Sequence, residues 1–458
     1  MTGMAESPSA SGKHRQKLVL LLGLYTAILL FIVPRLSLWL DEILGLIGVR
    51  YTHLGSLIDY LSNMPGGVPL AYATQWAVVK LLGYSVFSGR LTSVICSVLA
   101  AVGVFALARR LPVKRPLLAV VVYCLLPLQF RYALEARPYG VALCFSVWAT
   151  VCFFALLRKV SILRTAAYGI CIVAGLYSQP YTFFVPLAHV IWVALARRAL
   201  GWKFAGLIAG TVVLSAAAFL PWYLYARYVW QQTAASYHSH IELKSALMIL
   251  HELTGAGYIG TFVILSAAII GIRRGLVKSE QRLFWSLYLL VPVAGAIAGD
   301  LFFGYFLAIR QMLFIVAPLA LLCVLGVESR PRTGSILSDR FAGIVLIATL
   351  IAGDIVFLRR PREDWGAAAR FLSAAAERGA CLAFVPDDST LYEFFEPRLA
   401  ASHCHADSLP QAYEVDLAIN PYDAGEARLA VDRLVAAGFT RTSVGNPRGP
   451  QIYVYQRR

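Results

Sequence analysis

Long apolar runs separated by short polar clusters fill the chain from Leu18 to about Phe357. A helix needs about 20 apolar residues to cross a bilayer, and about eleven runs reach or approach that length. They are 18–34, 91–108, 116–132, 139–157, 163–178, 181–196, 204–224, 257–272, 283–303, 306–326 and 341–358. Each is predicted to be a transmembrane helix. The clusters between them have a consistent sign. Lys13, His14, Arg15 and Lys17 precede the first run. Arg109, Arg110, Lys114 and Arg115 follow the second, and Arg158, Lys159 and Arg164 follow the fourth. The alternation continues with Arg197, Arg198 and Lys203, with Arg273, Arg274, Lys278 and Arg282, and with Arg330 and Arg332. Basic loops stay in the cytoplasm, so threading the runs from a cytoplasmic N-terminus puts every cluster inside and the tail from Arg359 outside. The segment Val33-Pro34-Arg35-Leu36-Ser37-Leu38-Trp39 offers no small-x-small cleavage site, so the first run is predicted to stay as a span.

The stretches between runs carry shorter patterns. Residues 1–17 are predicted to be a disordered cytoplasmic N-terminus. In the long first outer loop, 36–90, Leu54, Leu57, Ile58 and Leu61 repeat at helical spacing and predict a short amphipathic helix along the membrane surface. Asn63-Met64-Pro65-Gly66-Gly67-Val68-Pro69 reads as a turn, and Leu70–Leu82 as a second apolar helix. A second outer loop, about 226–256, holds Trp230, Tyr237, His238, His240 and His251. Beyond 359 the apolar runs shorten and charges return. Trp365, Ala368, Phe371, Leu372 and Ala375 mark an amphipathic helix, Cys381–Val385 a strand, Glu426–Ala437 a helix and Gln451–Tyr455 a terminal strand. The fold class predicted is an all-α polytopic membrane domain, 18–358, followed by a small extracytoplasmic α/β domain, 359–458.

Composition agrees. The chain is 59% hydrophobic and 14% charged, with a mean hydropathy of +0.67, against roughly 25% charged residues in ordinary soluble domains. The formal charge of +16 is accounted for by the cytoplasmic loops, so it reports topology and argues for no nucleic-acid partner. Six cysteines, at 96, 124, 144, 152, 171 and 323, lie in spans as small apolar fillers. Cys381 and Cys404 lie in the tail, on the oxidising side, where a disulfide and two free thiols are both open.

The residues that apolar patterning does not explain are charged and sit at the outer ends of spans. Asp41-Glu42 follows the first span; adjacent carboxylates at a membrane surface are costly unless they face water or a reaction. Arg90, Arg137 and Arg310 lie at predicted outer ends, the wrong side for the positive-inside rule. Headgroup anchoring or structural ion pairing is the plain alternative for each. His238, His240 and His251 lack a zinc-type spacing and read as surface histidines. Trp222, Tyr223, Tyr225, Tyr228 and Trp230 read as an interfacial belt, with sugar stacking as the sharper alternative.

Several of these residues fall in ordered motifs. Trp39-Leu40-Asp41-Glu42 follows the first span and Pro69-Leu70-Ala71-Tyr72 the loop helix. Gly83-Tyr84-Ser85-Val86-Phe87-Ser88-Gly89-Arg90-Leu91-Thr92-Ser93 opens the second span. Glu135-Ala136-Arg137-Pro138-Tyr139 ends the third, and Arg310 stands eight residues before Pro318 in the tenth. Together these resemble the polyprenyl-phosphate-dependent sugar transferases of the GT-C superfamily over about residues 18–330. The nearest pattern is that of family 39-like enzymes: bacterial relatives of protein O-mannosyltransferases, aminoarabinose transferase and the rhizobial galacturonosyl transferases of lipopolysaccharide core. The chain departs from that pattern in having Asn63 onward before Leu70, where relatives often carry His or Asp, and Gln179 near the end of the fifth span, where many have His.

The resemblance implies transfer of a sugar, with inversion, from a polyprenyl-phosphate carrier to an envelope acceptor: lipid A, lipopolysaccharide core, another glycan or a protein. It implies a site at the outer face of a bacterial inner membrane, with donor, lipid or glycan acceptor and membrane lipids as partners. No cofactor follows from it, and a divalent metal is left open. The implied roles suit the chemistry. A departing phosphate gathers negative charge, best met by fixed Arg donors, here Arg90, Arg137 and Arg310, with Glu135, Tyr139, Gln179 and Tyr72 in support. An acceptor hydroxyl needs a base on the opposite sugar face, here Asp41, with Glu42 orienting it or holding acceptor. The alternative for the pair is that one carboxylate caps a surface helix from Ile43 onward. The alternative for the whole chain is a transporter or flippase for a lipid-linked sugar, whose site belongs near the bilayer midplane.

Overall fold

A computed structural model describes residues 8–236, 251–252, 254–303, 309–329, 336–360, 362–403, 412–420, 424–445 and 449–457. In chain order its helices are α1 (Pro8–Ile32), α2 (Leu40–Val49), α3 (Leu54–Ser62), α4 (Pro69–Leu82), α5 (Val86–Ala108), α6 (Pro116–Leu125), α7 (Pro127–Ala133), α8 (Tyr139–Arg158), α9 (Ile162–Leu176) and α10 (Phe184–Leu195). There follow α11 (Arg197–Leu200), α12 (Trp202–Ser236), α13 (Gly257–Ile270), α14 (Ser279–Phe303), α15 (Val316–Glu328), α16 (Ile336–Arg359) and α17 (Trp365–Glu377). The remaining elements are β1 (Cys381–Val385), α18 (Thr390–Glu393), β2 (Glu414–Ile419), α19 (Ala424–Ala436), β3 (Phe439–Gly445) and β4 (Gln451–Arg457). They divide into two compact units, one made of the residues up to Val33 with Tyr51–Arg359, the other of Pro34–Arg50 with Arg360–Arg458.

The first unit is a helical bundle. Among the described residues eight helices are long and apolar enough to cross a membrane, and α6 with α7 forms a ninth candidate bent by 68°. Two shorter apolar helices, α9 and residues Pro180–Leu195, complete the set. Every run expected from the sequence has a helical counterpart. The bend is encoded at Leu126-Pro127: Pro removes an amide donor, and Leu126 takes the extended backbone (φ −66°, ψ 117°) that a following Pro favours. α15 lies at the centre, its whole spanning window buried. It approaches α13 closely enough that a methyl group on Gly271 or Gly326 would overlap the backbone carbonyl of Leu322 or Ala267. Small residues make such contacts possible in lipid, where apolar burial alone gives helices no reason to associate.

Two expectations about the ends of this unit change. α1 already includes Pro8, the first described residue, inside the stretch expected to be disordered. Trp222, expected in a surface belt, is 6% exposed and its indole donates to the carbonyl of Gly67 at 3.3 Å. Tyr225 donates to Asp59 at 2.9 Å. Both therefore hold the α3–α4 turn in place. Tyr237, His238 and His240 lie outside the described residues, as does Cys404; Cys381 is disulfide-bonded.

The second unit is an α/β fold. Its sheet runs β1-β2-β4-β3, with β1 and β2 parallel and β4 antiparallel to both its neighbours. Val415, Leu417 and Ile419 point to one face, where they pack with Val385, Leu434, Phe439 and Tyr455. The alternation puts Asp416 on the other face (period two along a strand), where it is fully buried, and neither carboxylate oxygen has a hydrogen-bond partner among the described residues. Burial, and secondarily the charge of Glu414, pushes its pKa up from the ordinary 3.8 to about 6, with Arg378 opposing.

A carboxylate whose folded pKa lies above its unfolded value binds protons more readily in the folded state. Asp416 therefore costs stability at neutral pH, at most about 3 kcal/mol, and the cost is relieved as pH falls from about 6 toward 4. Asp416→Asn should slow hydrogen exchange of the β2 amides at pH 7.5 and change it little at pH 4.5, read by mass spectrometry on the full chain. Equal effects at both pH values would show that the carboxylate is not the source.

Candidate active site

The acidic pair sits on α2. The helix begins at Leu40, so Asp41 and Glu42 occupy its first turn. This corrects the capping alternative, which placed the helix from Ile43: the cap position belongs to Trp39, which makes no side-chain capping bond. Carboxylates in a first turn still gain about 0.3–1 kcal/mol from the helix dipole. Asp41 is half-buried, whereas Glu42 is fully buried, its Oε2 3.6 Å from Arg362 Nη1. The underside of α2 is apolar, with Ile43, Leu46 and Val49 fully buried. Its far end is pinned by Arg50, which donates to the carbonyl of Phe394 at 2.9 Å and lies 5.0 Å from that ring.

The cations of the bundle form their own group. Arg137 is half-buried just before α8; Nη1 donates to the Tyr72 hydroxyl at 3.2 Å and Nη2 to that of Tyr139 at 3.3 Å. The guanidinium also stands 5.5 Å from the Tyr139 ring centre. Ser93 donates to the Arg137 carbonyl at 3.3 Å. Tyr139 in turn packs edge-on against Tyr132, centroids 4.8 Å apart. Tyr132 is within electrostatic range of Arg131, Glu135, Tyr139 and Arg310. Arg310 is half-buried at the start of the tight turn Ile309–Ile315. The motifs at 72 and 137–139 thus meet in one aromatic–cation cluster within the bundle.

Three residues take other positions. Arg90 is fully buried and donates to the Val33 carbonyl at 2.7 Å, satisfying an orphan acceptor just past the end of α1. Glu135 is fully buried and pairs with Arg131 at 3.1 Å. Arg131 was not singled out from the sequence, although it too lies at an outer span end and four residues before a carboxylate, the spacing of a helical ion pair. Gln179 closes α9: its amide donates to the Gly175 carbonyl at 2.7 Å and its own carbonyl accepts from Thr182. A buried histidine, His189, also escaped notice. It stacks on Phe153 (centroids 4.4 Å) and lies 3.0 Å from the Tyr168 hydroxyl and 3.3 Å from that of Thr150, a satisfied polar knot inside an aromatic core. Among the described residues no group of three or more His, Cys, Asp or Glu is arranged to hold a metal ion.

Beside the cluster runs an apolar groove of about 1180 Å³, lined by Leu70, Ala73, Ile170, Val173, Leu207 and Leu214 among others. α4 divides the two. Leu70 and Ala73, three residues apart and so on one face, line the groove, while Tyr72 on another face accepts from Arg137.

The family model for dolichyl-phosphate-mannose-protein mannosyltransferase matches residues 65–225, which contain Tyr72, Arg90, Glu135, Arg137, Tyr139 and Gln179. No curated protein matches this sequence. Solved structures do match in fold. ArnT from Cupriavidus metallidurans in the apo state aligns at 12% identity and TM-score 0.61, covering 96% of this chain and 98% of its own. The same protein bound to undecaprenyl phosphate gives 12% identity and TM-score 0.58, covering 95% and 97%. The archaeal oligosaccharyltransferase AglB from Archaeoglobus fulgidus, in complex with an inhibitory peptide and a dolichol-phosphate, gives 13% and 0.57, covering 98% of this chain and 74% of that one. At such identities the likeness is one of fold. The resemblance read from the motifs is accompanied by a family match over residues 65–225 and by a fold like that of ArnT and AglB.

Proposed function

We propose that the chain is an inverting glycosyltransferase that takes a sugar from a polyprenyl-phosphate carrier and transfers it to a lipid, glycan or protein acceptor of the cell envelope. We place the reaction at the outer face of a bacterial inner membrane, with the N-terminus cytoplasmic, as the basic loops imply. The observation that carries the reading is the double role of α4. A donor of this class has a long apolar tail and an anionic head. α4 separates an apolar groove from an arginine oriented by two tyrosine hydroxyls. Tail and head chemistries meet at one helix.

In this mechanism the acceptor oxygen attacks the anomeric carbon of the donor sugar. The bond from that carbon to the phosphate oxygen breaks, and its electron pair leaves on the polyprenyl phosphate. The acceptor proton passes to Asp41, and attack from the face opposite the leaving group inverts the configuration. Arg137 meets the charge growing on the phosphate. Tyr72 and Tyr139 fix its fork in advance, so little reorganisation is needed during reaction. Arg310 adds a second positive charge, and Arg90 holds the end of α1. Asp41 lies on a short helix of the α/β unit and on no span, which does not support a transport site near the bilayer midplane.

Envelope glycans from a deletion strain, analysed by mass spectrometry, should lack one sugar, restored by the wild-type gene; an unchanged glycan profile would refute the activity. In the same complementation, Arg137→Lys keeps the charge and loses the bidentate fork. It should reduce transfer roughly 10²-fold, the size of a lost preorganised donor. Near-normal restoration by both Arg137→Ala and Arg310→Ala would remove the phosphate role. Asp41→Asn keeps side-chain size and should cost roughly 10²–10⁴-fold, the range for acid–base catalysis, with undecaprenyl phosphate binding retained. A well-expressed Asp41→Asn protein with full transfer would refute Asp41 as the base.

A further inference from the structure

α2 has an unusual start. The first-turn amides of a helix need acceptors, and the cap residue usually supplies one from its side chain. Trp39 does not. Instead the Leu40 amide donates at 3.2 Å to Oε2 of Glu363, a residue 323 positions later. The same oxygen accepts from the indole of Trp365 at 2.7 Å, and Trp365 is fully buried. The neighbouring Arg362 donates to the Ser37 carbonyl at 3.4 Å and pairs with Glu42 at 3.6 Å. One dipeptide, Arg362-Glu363, therefore holds the backbone immediately before Asp41 and the side chain immediately after it. The next residue, Asp364, caps α17 through the Ala367 amide at 2.8 Å. Consecutive carboxylates thus fix the first turns of two helices against each other.

We propose that Glu363 is a positioning residue for the base: it caps α2 from the tail and sets where the Asp41 carboxylate points, while Arg362 holds Glu42 aside. The proposal rests on Asp41 acting as the base. Glu363 touches no substrate in this scheme. Its oxygen is oriented by a buried indole, so a rigid core in the tail transmits its geometry to the first turn of α2. A displacement of about 1 Å at a reacting group can cost roughly 10²-fold in rate.

The test uses the full-length protein in the deletion strain, reading transfer from the restored glycan, with undecaprenyl phosphate binding to the purified protein as the folding control. Glu363→Leu removes the acceptor and should lower transfer roughly 10–100-fold with binding unchanged. Glu363→Gln keeps an oxygen that can accept from Leu40 and should recover most of it. Trp365→Phe keeps the ring and loses the orienting N–H. It should give a smaller loss of the same kind, and it serves as the primary variant if Glu363→Leu does not accumulate. The decisive measurement is the pair. Because Glu363 acts through Asp41, Glu363→Leu or Trp365→Phe should cause no further loss in an Asp41→Asn background. Wild-type transfer by folded Glu363→Leu, or a full multiplicative loss in the double variant, would overturn the proposal. An Asp41→Asn protein with full activity would instead refute the base assignment itself, and the positioning role with it.

Discussion

Hydrocarbon supplies no hydrogen bonds, so each backbone amide and carbonyl within a span must be satisfied by the chain itself. That constraint decides where this protein can place chemistry. Intact helices satisfy themselves and leave little room for charge. Breaks between helices do not, and they draw in the polar side chains. The bend at Leu126-Pro127 leads into Arg131, Glu135 and Arg137. The end of α1 is closed by Arg90, and the turn after α9 by Gln179 and Thr182. Of the candidate cations, Arg90 serves the backbone of the bundle, whereas Arg137 donates to the Tyr72 and Tyr139 hydroxyls.

The same need produces caps supplied from far along the chain. The cap residue of α6, Arg115, makes no side-chain cap of its own, and the Lys114 and Arg115 amides are taken by the Glu328 carboxylate at 2.7 and 2.9 Å. α2, whose cap residue Trp39 likewise makes no side-chain cap, is closed by Glu363. A local cap, such as Ser85 on α5 or Ser161 on α9, fixes only its own helix. A distant cap also fixes the position of that helix relative to another element. Glu328 does this within the bundle, tying the buried α15 to the start of α6. Glu363 does it within the α/β unit, for the helix that carries the acidic pair.

Much of the bundle was legible because spans are written in long, redundant patterns: replacing one residue in 91–108 would not hide a helix there. The helices at 54–62 and 365–377 and the strand at 381–385 follow local periodicity closely. β2 and β3 did not stand out. The buried Asp416 interrupts the apolar run of β2, and β3 presents Thr440 to Ser443 largely to solvent. The pairing of the sheet supplies what their composition lacks. Among site residues, Tyr72, Arg137 and Tyr139 were found by motif and meet as hydrogen-bond partners. The pairing of Arg131 with Glu135 follows the i, i+4 spacing of a helical ion pair, whereas the role of Arg90 at the end of α1 is a fact of packing that no spacing in the sequence specifies.

The least legible relation is the one between residues 34–50 and the tail. In sequence the acidic pair belongs to the first loop, beside the span it follows. In contacts it belongs to the unit formed with Arg360–Arg458. Nothing local in Leu40–Val49 announces this, since its apolar positions suit a membrane surface as well as a protein surface. The discriminating residues are charged and lie over three hundred positions away: Arg362 against Glu42, and Glu363 against the Leu40 amide. A charge buried with its partner is weak evidence for added stability, because desolvation offsets most of the attraction. Its firmer consequence is geometric. Glu42 is fully buried and so must keep its counter-ion close, which restricts α2 to placements that satisfy Arg362 and Glu363 together. Through that restriction the α/β unit fixes the placement of the helix that carries the acidic pair, although its sheet holds no candidate catalytic residue.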